Sequence, residues 1–227
     1  MGFRQALNRW LQTIIPSKKV QMIDPMIITA HHEAAHAVLT HISKFHSLIG
    51  AMQVSHPILN EGGDEIFPAI RLASEHIGDT RVLLSKKKLA RAGKPTGLEV
   101  LTDPDYVEDA SVIYLAGFAA ELYYCKLNAQ LPKNYILNRT YSDNDYNAVK
   151  ELISKAGLPK DKMSFYETQA SAAVARNWRH IQEFAGIILN SNGNTVDAVD
   201  AMDYLDTVFG THSLYPIGKT KGTAIEL

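Results

Sequence analysis

The spacing of apolar residues along this chain predicts a mostly helical protein. Apolar side chains recur three and four positions apart over long stretches, as they do on the buried face of a helix. This periodicity predicts helices over residues 26–45, 80–92, 104–126, 146–155, 165–190 and 196–209. Apolar runs at 48–54 and 66–72, joined by a turn at 57–64, add two strands of a small β-sheet. The expected fold class is therefore α with a small β-sheet.

The first 24 residues form a segment of a different kind. Basic residues lie between or after apolar residues that recur at helical spacing. The apolar residues are Phe3, Ala6, Leu7, Trp10, Leu11, Ile14 and Ile15. Such a segment can dock on a membrane surface or a partner helix, or it can pack against its own domain, which is the commoner case. We therefore predict an N-terminal amphipathic segment over residues 1–24 and a single domain over residues 25–227.

The charge balance and the cysteine content restrict the class of protein. The 227 residues carry a formal net charge of -1, so no basic surface argues for a nucleic-acid partner. Cys125 is the single cysteine, which excludes an internal disulfide and a cysteine zinc cluster and suits a cytoplasmic location. The longest apolar run, residues 110–124, is too short to be a transmembrane segment. The lysine run at 86–88 is expected to be a solvated helix face.

The candidate chemistry lies in the first long helix of the predicted domain. Residues 32–36 read His-Glu-Ala-Ala-His, and helical geometry brings both histidines of this H-E-x-x-H motif to one face. Two imidazoles one turn apart can bind one zinc ion, while Glu33 can act as the base that takes a proton from water. We therefore predict His32 and His36 as metal ligands and Glu33 as the catalytic residue. The competing interpretation is two buried core histidines beside an ion-paired glutamate.

A third protein ligand has to come from outside this motif. His31 and His41 are rotated off the face of the two ligand histidines, so we expect them to be structural or to face a partner. Two carboxylates are candidates: Glu121 in the alanine-rich third helix, and Asp145 where a polar stretch opens the next helix. Each also has a structural alternative, an ion pair for Glu121 and helix capping for Asp145. The residues alone leave this choice open.

Small residues surround the first of these candidates. Ala116, Gly117, Ala119 and Ala120 precede Glu121, and side chains of this size let another helix approach closely. We therefore expect this helix to pack against a second helix at short distance.

Three motifs together resemble one known family. They are H-E-A-A-H-A-V from residue 32, A-G-F-A-A-E-L over 116–122 and S-D-N-D-Y-N-A-V over 142–149. In this order they resemble the peptidase domain of the FtsH family of ATP-dependent zinc proteases. That family carries H-E-A-G-H-A, then G-G-R-A-A-E-E, then T-G-A-S-N-D-L at the start of a helix. The similarity extends over residues 25–208.

The resemblance implies a zincin-like, helical zinc metallopeptidase domain with one zinc ion per chain. It agrees with the roles of the H-E-x-x-H residues given above. The Asn144-Asp145 pair matches the family's Asn-Asp pair, whose aspartate is the third ligand, so the resemblance selects Asp145. Glu121 and Asn144 are then expected beside the ligands, with Glu121 orienting a ligand histidine through its second ring nitrogen.

The resemblance also implies a substrate and a partner. We expect hydrolysis of peptide bonds in flexible or unfolded polypeptides, by a free-standing domain without the family's AAA ATPase module. Cleavage of other chains would require an ATPase or unfoldase supplied in trans. Phe118 and Leu122 replace an arginine and a glutamate of the family motif. These departures motivate an alternative, a catalytically inactive peptidase-fold module that binds or regulates a partner ATPase.

Overall fold

The structure is a computed structural model, and it describes residues 25–48, 52–53, 58–59, 65–66, 83–128 and 143–209. Most of these residues are helical, which confirms the predicted mostly-α fold. The helices among them are α1 (Pro25–Ile42), α2 (Lys86–Arg91), α3 (Pro104–Asn128), α4 (Asp143–Lys155), α5 (Lys162–Asn190) and α6 (Ala198–Phe209). Two 3₁₀ turns, Leu98–Thr102 and Asn192–Asn194, complete the helical elements of this part of the chain.

Extended structure in the described ranges is limited to two-residue strands, which pair antiparallel in twos. The pairs are β1 (His46–Ser47) with β5 (Leu83–Leu84), β2 (Met52–Gln53) with β6 (Thr195–Val196), and β3 (Ile58–Leu59) with β4 (Glu65–Ile66). The predicted strand at 48–54 is therefore present in part, whereas residues 67–72 of the second predicted strand lie outside the described residues. These pairs do not join into one small sheet.

Two predictions about this region were wrong. Residues 58–59, predicted as part of a turn, form β3, which pairs with β4 a few residues further along the chain. Leu83–Leu84, predicted as helix, form β5 because they pair with β1 just after the first helix. The partner of β5 is distant in sequence, as is β6, the partner of β2, so a local pattern of apolar residues carries no signal for these two pairings.

The core lies where α1, α3 and α5 pack against one another, with α4 on α3 and α6 on α1. Ala30, Ala34 and Ala37 of α1 are fully buried, and their small side chains let both neighbouring helices come close. On α5, Ile181 and Phe184 are also fully buried. Burying side chains of this size contributes about 1.5–3 kcal/mol each relative to leaving them in water. The first helix is therefore enclosed rather than lying on the surface.

The start of α3 is set by a cap. Asp103 accepts hydrogen bonds through Oδ1 from the backbone nitrogens of Asp105 (3.0 Å) and Tyr106 (3.3 Å). Pro104 follows at the first helical position, where its missing N–H costs nothing because that group has no helical partner anyway. This start, predicted from the sequence, sets which residues of α3 face α1.

Helix α1 ends at Ile42, three residues before the predicted end at residue 45. The lysine run at 86–88 was predicted as a solvated face, which is wrong for Lys88 alone. Lys86 and Lys87 are exposed, but Lys88 is buried and donates hydrogen bonds to backbone carbonyls at and just beyond the end of α1.

The N-terminal amphipathic segment, residues 1–24, lies outside the described residues. Its helical character and the domain division at residue 25 therefore stay predictions. Within the described part of the chain, no helix combines the length and the apolar character that crossing a membrane requires.

Candidate metal centre

Helix α1 carries the three motif residues into a buried position. His32, Glu33 and His36 are 5%, 1% and 4% exposed. One turn of helix separates the two histidines, so their ring centroids lie 4.7 Å apart and their Nε2 atoms approach to 3.0 Å. The predicted pair of adjacent imidazoles is therefore present on one face of the helix.

One face of α3 supports both imidazole rings. Ile113, Gly117 and Glu121 follow one another at intervals of four, so they form a stripe along this helix. The backbone oxygen of Ile113 lies 2.8 Å from Nδ1 of His36, and Oε1 of Glu121 lies 2.5 Å from Nδ1 of His32. Each ring is thus held by its second nitrogen.

These contacts place a proton on Nδ1 of both rings. A backbone carbonyl and an ionised carboxylate only accept hydrogen bonds, so Nδ1 of His36 and Nδ1 of His32 donate. The two Nε2 atoms then face each other across 3.0 Å, where two lone pairs would repel each other. A proton on one Nε2 atom, or a metal ion bound by both, removes this repulsion. The geometry therefore favours a positive charge at the two Nε2 atoms.

Gly117 lies directly against the ring of His32. A Cβ atom built on Gly117 would lie 2.3 Å from Nε2 of His32 and 2.5 Å from both neighbouring ring carbons. No side chain fits at this distance, so glycine is required if the ring is to stay where it is. The close helix approach predicted from the small residues of α3 is present here.

Asp145 reaches the histidines from the first turn of α4. Its Oδ2 lies 3.5 Å from Nε2 of His32 and 3.5 Å from Nε2 of His36. Its side chain is 19% exposed, more than either histidine, so the cluster opens on the side of α4. The next residue, Tyr146, donates through its hydroxyl to Glu167 of α5 at 3.0 Å, which attaches the start of α4 to the helix core.

The pKa values reflect this mutual stabilisation of charge. Burial acts to raise the pKa of the Asp145 carboxyl, but the charges and hydrogen bonds of His36 and His32 hold it well below its usual range. Burial likewise acts to lower the pKa of His32, but hydrogen bonds with Asp145 and Glu121 raise it well above 6.5. The cluster therefore favours a cation at the histidines and an anion at Asp145.

The three converging atoms fit a zinc ion. Nε2 of His32, Nε2 of His36 and Oδ2 of Asp145 form a triangle with sides of 3.0, 3.5 and 3.5 Å. Ligands about 2.0–2.1 Å from a tetrahedral zinc ion lie roughly 3.3–3.4 Å from one another, so each side is within a few tenths of an ångström of the ideal. Two imidazoles and one carboxylate also leave a fourth position for a substrate or water, as in catalytic rather than structural sites.

Glu33 is the second carboxylate close to the converging atoms. Its Oε1 lies 3.7 Å from Nε2 of His32, and the side chain is buried. Together with Glu121 and Asp145 it brings three acidic side chains to one pair of imidazoles. Burying several anions in one place is costly unless positive charge compensates them. A divalent cation would provide that compensation.

The two candidates for the third ligand occupy different sides of His32. Asp145 lies on the Nε2 side, together with His36, and the three form the group of described residues able to share one metal ion. Glu121 lies on the Nδ1 side, where it orients the ring of His32, and it is not part of this group. Asn144 belongs to the first turn of α4, but its side chain lies outside what the structure describes.

His31 and His41 do not belong to this group. His31 donates through Nδ1 to the backbone oxygen of Ile27 at 2.7 Å and stacks on Trp178. His41 lies one turn beyond the motif, with Nε2 3.3 Å from Oδ1 of Asp206. Both side chains are buried, so they are structural. This was one of the two predicted roles, the other being contact with a partner.

Two contacts of the site were not predicted from the sequence. The Ile113 carbonyl has no signature in the sequence, because a backbone oxygen is the same in every residue type. The exact partner of Gly117 was also missed, although the four-residue steps from Glu121 back to Gly117 and Ile113 are visible in the sequence. That spacing marks the stripe which faces the histidines.

The chain matches no protein-family model, no curated protein and no solved structure. The resemblance to the FtsH family therefore rests on the three sequence motifs and stays a prediction.

Proposed function

We propose that this protein is a zinc-dependent endopeptidase that hydrolyses peptide bonds in flexible or unfolded polypeptides. The observation that carries the proposal is the convergence of His32, His36 and Asp145 at zinc-like separations with Glu33 beside them. The fit of this set to a three-ligand site with an open position favours catalysis over a structural metal.

A zinc ion held by these three side chains would supply Lewis acidity, polarising the carbonyl of the scissile bond and lowering the pKa of water toward neutrality. The chain's own part begins with the two hydrogen bonds to Nδ1. Ile113 and Glu121 keep His36 and His32 in the tautomer that presents a free Nε2 lone pair. Asp145 balances the positive charge from the exposed side.

Glu33 is the proposed proton carrier. Its carboxylate would take a proton from water as the water oxygen attacks the carbonyl carbon, and would give that proton to the nitrogen as the C–N bond breaks. The products are a free carboxylate and a free amine. Oε1 of Glu33 lies 3.7 Å from Nε2 of His32, so this carboxylate is beside an atom that would hold the ion.

The proposed substrate is a chain without stable tertiary structure. We propose that such a peptide binds in extended form, as an added strand near residues 48–54 or 66–72, where the described residues include the short strands β2 and β4. A folded substrate would first need unfolding, for which we propose an ATPase supplied in trans. A cytoplasmic location is part of the same proposal, and the single buried thiol of Cys125 suits a reducing compartment.

Replacing Glu33 by glutamine tests the proposal. Glu33→Gln keeps the size of the side chain but removes its basicity, so cleavage of unfolded casein should fall by at least about 100-fold while zinc content stays at one per chain. Glu151→Gln, a substitution of an exposed glutamate in α4, is the matched control and should cleave normally. Cleavage by the Glu33 variant at the rate of the native protein would refute the mechanism.

Measuring zinc content and cleavage by the native protein distinguishes the proposed peptidase from an alternative function. The departures at Phe118 and Leu122 favour an inactive peptidase-fold module that binds a partner ATPase. Such a module would hold zinc and cleave no substrate even with Glu33 intact. Zinc binding without cleavage of casein or of short unstructured peptides by the native protein would select this alternative.

A further inference from the structure

A second buried cluster lies at the C-terminal end of α1, beyond the H-E-x-x-H motif. The side chain of Lys88 is 7% exposed, and its ammonium group is surrounded by backbone oxygens. Nζ lies within hydrogen-bonding distance of the carbonyl oxygens of Thr40 (3.3 Å), His41 (3.0 Å), Ser43 (3.0 Å) and His46 (2.5 Å), so its three N–H groups are shared among these four acceptors. We call these four oxygens the carbonyl cage.

The end of a helix explains why oxygens are available there. The last four carbonyls of an α-helix have no donor within the helix, and they form the negative end of its dipole. Thr40 and His41 are in the last turn of α1, and the chain then curls back so that Ser43 and His46 point their carbonyls to the same place. Ser43 stabilises this curl by accepting hydrogen bonds from the backbone nitrogens of Phe45 and His46.

Carboxylates of two further helices lie close to the cage. Asp109 of α3 accepts from the backbone nitrogen of Lys44 (3.2 Å) and from Nδ1 of His46 (2.8 Å), and it is buried. Asp206 of α6 lies next to His41. One buried ammonium therefore faces four backbone oxygens and is accompanied by carboxylates on two neighbouring helices. This environment suits a small monovalent cation.

We infer that the carbonyl cage is a monovalent-cation site whose cation is supplied by the chain itself, as the ammonium of Lys88. A primary ammonium fits because it is small, donates in several directions and carries one charge. Without this side chain, the cage would bind a free cation of the same chemistry, such as methylammonium. Lys88 is thus a positioning residue that closes the helix bearing His36, and this role does not depend on the proposed peptidase activity.

Chemical rescue tests the inference. Lys88→Ala removes the ammonium and leaves the cage open, so the melting temperature should fall by roughly 5–10 °C. Methylammonium chloride should recover at least about half of that loss in a saturable manner. Tetramethylammonium chloride at the same concentration, which is too large and has no N–H to donate, should recover none. Lys87→Ala, a change in the exposed neighbour, should melt with the native protein in either salt.

A second variant separates charge from packing. Lys88→Met keeps most of the buried stem without the charge, so its melting temperature should be low and insensitive to methylammonium, because the side chain occupies the entrance to the cage. If Lys88→Ala is unfolded in sodium chloride, helical circular dichroism is measured after refolding in each salt, and recovery in methylammonium alone supports the inference. An equal response to both ammonium salts, no response to either, or native stability of the methionine variant would overturn it.

Discussion

Gly117→Ala is the most informative single substitution, because the structure gives its effect atom by atom. The added Cβ would lie 2.3 Å from Nε2 of His32, whereas 3.4 Å is where ordinary contacts begin. Ring and helix must therefore separate by about 1.1 Å. Metal sites tolerate errors of only about 0.2 Å in ligand distance, so the displaced ring cannot coordinate as before.

The cost should be much larger for the metal than for the fold. Overpacking of a core typically costs about 1–3 kcal/mol, while alanine in place of glycine inside a helix returns about 1 kcal/mol. We therefore expect a loss of about 0–2 kcal/mol in the free energy of unfolding without metal. Zinc affinity should fall by at least about 100-fold, equivalent to about 2.7 kcal/mol.

The assay is a zinc competition titration against a chelator, with thermal unfolding measured in parallel. Gly186→Ala is the matched control, since Gly186 lies inside α5 and a Cβ there meets nothing within 4 Å. This control should keep native zinc affinity and gain about 0.5–1 kcal/mol of stability. Native zinc affinity in Gly117→Ala would show that the ring of His32 is not needed where the structure has it.

Three further predictions concern pH, the thiol and the buried contact between His46 and Asp109. Although burial acts to lower it, hydrogen bonds with two carboxylates raise the pKa of His32 well above 6.5. Charged His32 therefore stabilises the apoprotein fully below pH 6.5, and this contribution is lost as the pH rises through the raised value. Zinc must displace that proton, so calorimetry should find proton release on zinc binding and a zinc affinity that increases with pH. A zinc affinity that does not depend on pH would contradict this. Burial and a nearby carboxylate raise the pKa of Cys125 to about 12, so at pH 8 iodoacetamide should alkylate the folded protein at least about 100-fold more slowly than the protein unfolded in urea. Equal alkylation rates would refute the burial of this thiol. Asp109→Ala leaves buried His46 without its carboxylate partner and should cost about 3–5 kcal/mol in urea unfolding, against less than about 1 kcal/mol for the exposed Asp105→Ala.

The helices of the core follow closely from the local pattern of the sequence. Helix α3 begins at Pro104 as predicted, because Asp103 and Pro104 form a capping pair that needs nothing from the rest of the chain. The end of α5 at Asn190 also agrees with the prediction. Amphipathic periodicity is local, so it survives without any knowledge of the tertiary structure.

Burial of polar groups and pairing of short strands could not be predicted in this way. The lysine run at 86–88 has the composition of a solvated face, and Lys88 is buried only because the chain at the end of α1 supplies four carbonyls. The pairing of β1 with β5 depends on the same region. Such long-range partners leave no mark on the local sequence.

The candidate site is predictable from the sequence in part only. His32, Glu33 and His36 follow from helical spacing alone. The separate roles of Glu121 and Asp145 do not, since both are acidic residues in helices distant in sequence from the motif. The resemblance to a known family assigns these roles, and the geometry, with Glu121 at Nδ1 and Asp145 at Nε2, gives the physical distinction between an orienting carboxylate and one able to share a metal ion.

Metal analysis of three purified proteins tests the proposed centre most directly. The native protein, Asp145→Ala and Glu121→Ala are each saturated with zinc, freed of excess metal and measured for zinc per chain. We predict one zinc in the native protein, little or none in Asp145→Ala, and binding in Glu121→Ala that is weaker by about 10–100-fold but still stoichiometric at saturation. Loss of zinc from Glu121→Ala while Asp145→Ala retains it would contradict the assignment.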